Sequence, residues 1–126
     1  METTPKTASD RPFGLIIEDN PDLAIIFSEA LQASDFETRI EHDGRAALQY
    51  LEAHVPDVVI LDLHLPQVSG PEIMAAIKED SRFAETRVLI ATADPALAET
   101  LQDQADLVLL KPVSFGQLRD LAKRLA

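Results

Sequence analysis

The sequence predicts an α/β fold, a single doubly wound (βα)5 domain built on a five-stranded parallel sheet. Three observations carry that prediction. Short apolar runs alternate with segments whose apolar residues recur at every third or fourth position, the signatures of buried strands and amphipathic helices. One run, Val58-Val59-Ile60-Leu61, has no polar break, which suits a strand covered on both faces. The chain has 126 residues, enough for one domain and too few for two. Strands that alternate with helices connect through right-handed crossovers, so the sheet must be parallel with helices on both faces.

Taken in order, residues 13–17, FGLII, read as the first strand and run into Glu18-Asp19. Asn20-Pro21 then offers an N-cap with proline at the first helical position. Leu23, Ile26, Phe27, Ala30 and Leu31 fall at helical spacing and predict an amphipathic helix over 21–33 with those side chains on its apolar face. Residues 37–42, ETRIEH, make a more polar strand, expected at an edge. Asp43-Gly44 is a turn or helix start, and Ala47, Leu48 and Leu51 mark a second helix that ends before Pro56. The third strand covers 57–62 and stops on Asp62. Ser69 to Lys78 forms the third helix, with Ile73 and Ile77 one turn apart. RVLIAT, 87–92, is the fourth strand, and Asp94-Pro95 opens a short fourth helix carrying Leu97 and Leu101. DLVLL, 106–110, is the fifth strand, ending at Lys111-Pro112. Ser114 caps the last helix, whose apolar side holds Phe115, Leu118, Ala122 and Leu125.

Residues 1–11 are polar and read as a disordered N-terminal tail, leaving 12–126 as the domain. METTPKTASDRP lacks the apolar segment of a signal peptide, and no stretch approaches the roughly 18 residues of a membrane span. Cysteine is absent, which permits a reducing compartment, and a cytoplasmic location is expected. Lys and Arg number 11 against 22 Asp and Glu, a formal net charge of −11. A nucleic-acid binder shows a basic face instead. Neither direct nucleic-acid binding nor membrane association is expected. Most of the acidity reads as a solvated surface that keeps the chain soluble, with a few carboxylates left for a cation site.

In a doubly wound fold, ligands lie beyond the carboxyl ends of the strands. Strand one ends in Glu18-Asp19, strand three in Asp62, strand four in Thr92 and strand five in Lys111. Alone, each is an ordinary cap or strand-end residue. If the strands are neighbours, three carboxylates, a hydroxyl and an ammonium meet at one edge. Carboxylates about 5 Å apart repel by about 3 kcal/mol per pair at an effective dielectric of about 20, so protons or a cation must offset them. Mg²⁺ is the natural occupant, a hard ion that takes one or two carboxylates and keeps waters for a phosphoryl group. No pair of histidines stands at zinc spacing, and there is no thiol. Beside Mg²⁺, Asp62 is a candidate nucleophile toward phosphorus. Thr92 and Lys111 are then placed to neutralise the remaining phosphoryl oxygens.

At this point residues 13–126 resemble a receiver (CheY-like) domain of the two-component response-regulator family. D-x-x-x-P-x-x-S-G at 62–70, the acidic pair Glu18-Asp19, Thr92-Ala93, and QADLVLLKP at 104–112 carry the resemblance. It implies a flavodoxin-like strand order 2-1-3-4-5, and a phosphoryl group taken onto Asp62 from a histidine kinase or histidine phosphotransferase. It also implies Mg²⁺ held by Asp19, Asp62 and the His64 backbone carbonyl, with Glu18 acting mostly through bound water. A cis bond before Pro112 is expected by the same resemblance. The chain is expected to be no enzyme beyond catalysing its own phosphorylation and dephosphorylation. With no room for an output domain, it is expected to be a stand-alone regulator that docks on a downstream protein target, or a fragment of a larger one.

Two departures from the family pattern follow. The switch position on strand five, usually Tyr or Phe, is Val108, so phosphorylation is more secure here than the usual output mechanism. Thr92 to Lys111 is also shorter than the family norm and Gln104 replaces a common Gly, which reshapes the surface around the fourth helix. His64 is either a solvent-facing imidazole or, with Asp94, a residue that tunes phosphoryl hydrolysis by controlling water access. The alternative function is a phosphorylation-independent pseudo-receiver, a pure interaction module. Such domains lose the acceptor, the acidic pair or the lysine, and none is lost here. The D-x-H of Asp62 and His64 also resembles cobalamin-binding domains, but Gln67 stands where those need glycine. Haloacid-dehalogenase-like phosphatases need a second Asp at the place of His64.

Overall fold

Each expected run becomes a strand or helix within a residue or two of its expected bounds. The computed structural model describes residues 11–125, so the expected tail, apart from Arg11, lies outside the described residues. In chain order the elements are β1 (Phe13–Ile17), α1 (Pro21–Gln32), β2 (Glu37–Glu41), α2 (Gly44–Ala53), β3 (Val58–Asp62), α3 (Gly70–Glu79), β4 (Arg87–Thr92), α4 (Pro95–Leu101), β5 (Leu107–Leu110) and α5 (Phe115–Leu125). A short 3₁₀ turn, Ser81–Phe83, precedes β4; its one buried side chain, Phe83, was not foreseen. All pairings are parallel and the strand order is β2-β1-β3-β4-β5.

Helix starts are set by side-chain oxygens. Asn20, Asp43, Ser69 and Asp94 each accept a backbone N–H three residues on. Such a cap typically contributes about 1 kcal/mol. Asp43-Gly44 is thereby resolved as a helix start, with Asp43 Oδ1 2.8 Å from the Ala46 nitrogen.

Alternation along the central strands divides the core in two. Leu15, Ile17, Val59, Leu61, Val88 and Ile90 face α2, α3 and α4, packing against Leu51, Ile73, Ile77 and Leu101. Ile16, Val58, Ile60, Leu89 and Ala91 face α1 and α5, against Phe27, Leu31 and Leu118. Burying side chains of this kind contributes roughly 1.5–3 kcal/mol each. β3 is buried at all five positions, Asp62 included. The polar β2 lies at an edge, as expected.

Two side chains turn out of the faces expected of them. Ile26 is 39% exposed because the buried stripe of α1 runs through Ala24, Phe27, Ser28 and Leu31. Ser28 takes an inward place because its hydroxyl lies 2.7 Å from Thr38 Oγ1 on β2. Phe115 is also 39% exposed, at the first position of α5. Its ring lies 5.9 Å from the Arg119 guanidinium, a cation–π contact that substitutes for core packing.

Candidate functional site

The register decides which side chains meet. Ile17 pairs with Leu61, Asp62 with Ala91, and Thr92 with Leu110, so the residues at the carboxyl ends of β1, β3, β4 and β5 emerge along one edge. Carboxylate oxygens of Glu18, Asp19 and Asp62 lie within 4.8 Å of one another. Lys111 reaches into them, its Nζ 2.8 Å from Glu18 Oε1 and 3.7 Å from Asp62 Oδ2. The Lys111–Pro112 peptide is cis, as the resemblance implied. Thr92 is fully buried beside this set. All five expected residues therefore share one end of the sheet, with the three acids and Lys111 in direct proximity.

The acids differ in surroundings. Glu18 is fully buried while Asp19 is exposed. Glu18 Oε2 accepts the Asn20 N–H at 3.2 Å, whereas Oε1 has an ion pair with Lys111 and no well-directed hydrogen bond. Burial pushes Glu18 up to about 7, with the Asp62 charge adding to the rise and Lys111 and the Asn20 N–H opposing it. Burial also raises Asp62 above the ordinary carboxylate range, opposed by the His64 N–H on Oδ1 at 3.2 Å and by Lys111. Buried acids held in this way carry a demand for positive charge that one lysine does not meet. The donor atoms are all oxygen, and Glu18 Oε1 is a buried atom without a hydrogen bond. Both features fit a hard divalent cation such as Mg²⁺.

Two glycines let the backbone close around Asp62. A Cβ on Gly70 would stand 2.4 Å from Leu63 Cα and 2.6 Å from Asp62 O, so α3 begins where only hydrogen fits. A Cβ on Gly44 would meet Val68 O at 1.9 Å, and the Gly44 N–H donates to Pro66 O at 3.1 Å. The spacing D-x-x-x-P-x-x-S-G thus records a loop folded back against the end of β3 and the start of α2.

His64 is exposed and its Nε2 lies 3.3 Å from Asp94 Oδ2. Asp94 is held below the usual carboxylate range, chiefly by the Leu97 N–H and then by His64. The pair spans the loops after β3 and β4, so both candidate tuning residues flank the site. One participant was missed in the sequence. His42, just after β2, sets its Nδ1 3.1 Å from Glu18 O and so braces the turn that carries the acidic pair. Its only sequence signal is a place at the end of a strand.

A family model described as response regulator receiver domain matches residues 15–123. The chain belongs to the response regulator receiver family. This receiver is 34% identical over 122 residues to the sensor histidine kinase TmoS of Ectopseudomonas mendocina, a match that covers 91% of this chain and 12% of that protein. It is 34% identical over 112 residues to the polar-differentiation response regulator DivK of Brucella anthropi, covering 86% of this chain and 91% of that one. Among solved structures, the signal receiver domain of a putative LuxO repressor protein from Vibrio parahaemolyticus is similar with a TM-score of 0.80 and 31% identity, covering 91% of this chain and 92% of that chain. Among the described residues, no helix of the receiver is long and apolar enough to cross a membrane.

Proposed function

We propose that this receiver accepts a phosphoryl group on Asp62 from the phosphohistidine of a histidine kinase or histidine phosphotransferase. The observation that carries the reading is Asp62 at the end of a fully buried strand, with two further carboxylates within 4.8 Å and the Lys111 ammonium 3.7 Å away. An Asp62 oxygen forms the new P–O bond as the P–N bond to the donor imidazole breaks, and the leaving imidazole takes a proton from solvent. Lys111 stabilises charge on the transferring group. Thr92 Oγ1 accepts the Asp94 N–H at 3.1 Å, which leaves its own O–H free to donate to a phosphoryl oxygen. Asp19, Asp62 and the His64 carbonyl would hold Mg²⁺, with Glu18 acting through bound water. When bound, the ion supplies charge neutralisation at the phosphoryl oxygens.

His64 and Asp94 limit water access and so set the rate of phosphoryl loss. The chain acts on no other substrate. It is a cytoplasmic regulator that signals by docking on a downstream protein target, a reading supported by its 34% identity to the response regulator DivK. Intact mass after incubation with acetyl phosphate and Mg²⁺ tests the reading. A gain of one phosphoryl group that Asp62→Asn abolishes is expected. No gain in the unaltered chain overturns it in favour of a pseudo-receiver.

A further inference from the structure

Asp94 does three things at once. Its backbone N–H donates to Thr92 Oγ1 at 3.1 Å, its Oδ1 accepts the Leu97 N–H at 3.1 Å to cap α4, and its Oδ2 faces His64 Nε2 at 3.3 Å. His64 in turn donates its backbone N–H to Asp62 Oδ1 at 3.2 Å. A continuous path of polar contacts therefore runs from the acceptor carboxylate to the first turn of α4. The adjacent strand offers no comparable link, because Val108 on β5 packs with apolar neighbours and has no polar group to engage.

We propose that the His64–Asp94 contact is the link through which a phosphoryl group on Asp62 is sensed at α4; this rests on the phosphoacceptor reading above. The phosphoryl group brings a charge of about −1.5 to −2 next to His64 and becomes a competing acceptor for its Nε2 hydrogen. The same charge repels the Asp94 carboxylate. His64 and Asp94 side chains are 63% and 39% exposed, so their pairing is weak enough to exchange. A strong buried pair would persist in both states and transmit nothing. Once His64 turns to the phosphoryl group, Asp94 keeps its cap on α4 but loses its tether to the loop after β3. α4 has only seven residues, of which Ala98 and Leu101 are buried, so the loss is felt in its first turn.

Hydrogen exchange at the Leu97 amide, read by NMR on the full chain, tests this, with beryllofluoride and Mg²⁺ as the stand-in for the phosphoryl group. Intact mass after acetyl phosphate treatment is taken first on every variant, so that failure of the acceptor chemistry is read apart from failure of the link. In the unaltered chain, Leu97 exchange should rise about two- to fivefold on adding beryllofluoride, the range of an exposed pair. In His64→Ala, exchange should already sit at the faster level and stay there. Asp94→Asn, which keeps a cap oxygen but not the charge, should lose most of the response. A response in His64→Ala equal to that of the unaltered chain overturns the proposal, as does an unaltered chain that gains mass on Asp62 without any change at Leu97.

Discussion

Gly70→Ala probes whether the backbone around Asp62 is held by contact. The Gly70 N–H donates to Leu63 O at 3.1 Å, which fixes the start of α3 against the end of β3. An added methyl would stand 2.4 Å from Leu63 Cα and 2.6 Å from Asp62 O, both backbone atoms with no rotamer to escape into. Comfortable carbon contacts begin at roughly 3.5 Å, so α3 or the Asp62–Leu63 backbone must retreat by roughly 1 Å. Two such contacts with backbone put the overpacking in the upper part of its usual range, about 2–3 kcal/mol. Alanine recovers up to about 1 kcal/mol over glycine within a helix, leaving a net loss of about 1–2 kcal/mol. With about 2.1 cal/mol/K of unfolding entropy per residue, that lowers Tm by roughly 4–8 °C in a domain of this size. A displacement of this order at Asp62, the proposed acceptor, should also slow acetyl phosphate labelling by about 10- to 100-fold. Gly116→Ala is the control, because the nearest atom to its methyl would be Arg119 Nη2 at 3.9 Å. Calorimetric melts and labelling rates on both variants decide. If Gly70→Ala melts within about 1 °C of the parent and labels at the same rate, the close-contact explanation is wrong.

Two further predictions concern the charges. Lys111→Met leaves Glu18 and Asp62 without their ammonium, so the chelator-treated protein should lose a large part of the roughly 3–5 kcal/mol of a broken buried pair, measured by urea unfolding at pH 7.5 as a roughly neutral condition. Magnesium should restore more stability to this variant than to the parent. The second prediction is pH dependence. Glu18 is raised from 4.5 to about 7 in the fold, so the folded state holds the extra proton between those values. Its contribution is fully present below pH 4.5 and is lost as pH rises through about 7. In chelator, the stability difference between parent and Glu18→Gln should therefore shift against the parent as pH rises across that window. A difference independent of pH would show that Glu18 titrates normally.

Much of this was legible in the sequence because strand ends are legible. Asp62, Thr92 and Lys111 each terminate an apolar run, and a parallel sheet delivers such ends to one side whatever the details of packing. Helix faces were less so. Ile26 and Ser28 exchange their expected places because one hydroxyl, that of Thr38 on another element, makes a buried serine acceptable. Phe115 stays outside for the same kind of reason, since Arg119 offers its ring a partner at the surface. The roles of Gly44 and His42 depend on which loops come together in space. Val68 O and Glu18 O are their partners, and neither is near them in the chain. Spacing sets His64 and Asp94 two residues beyond Asp62 and Thr92, but the triple use of Asp94 arises only where the loops after β3 and β4 meet in space.

The Lys111 N–H donates to Thr92 O at 2.8 Å, a rung that continues the β4–β5 ladder past Leu110. Everything between those two residues leaves one rung and returns to the next. Insertions or deletions in that connection beyond the first turn of α4 consequently leave Thr92 and Lys111 where they are. A single residue added within β1, β3, β4 or β5 would do the opposite. It would flip every following side chain to the other face and carry a carboxylate or the ammonium away from its partners. Such a domain can diversify in its helices and connections while its strands stay locked in length.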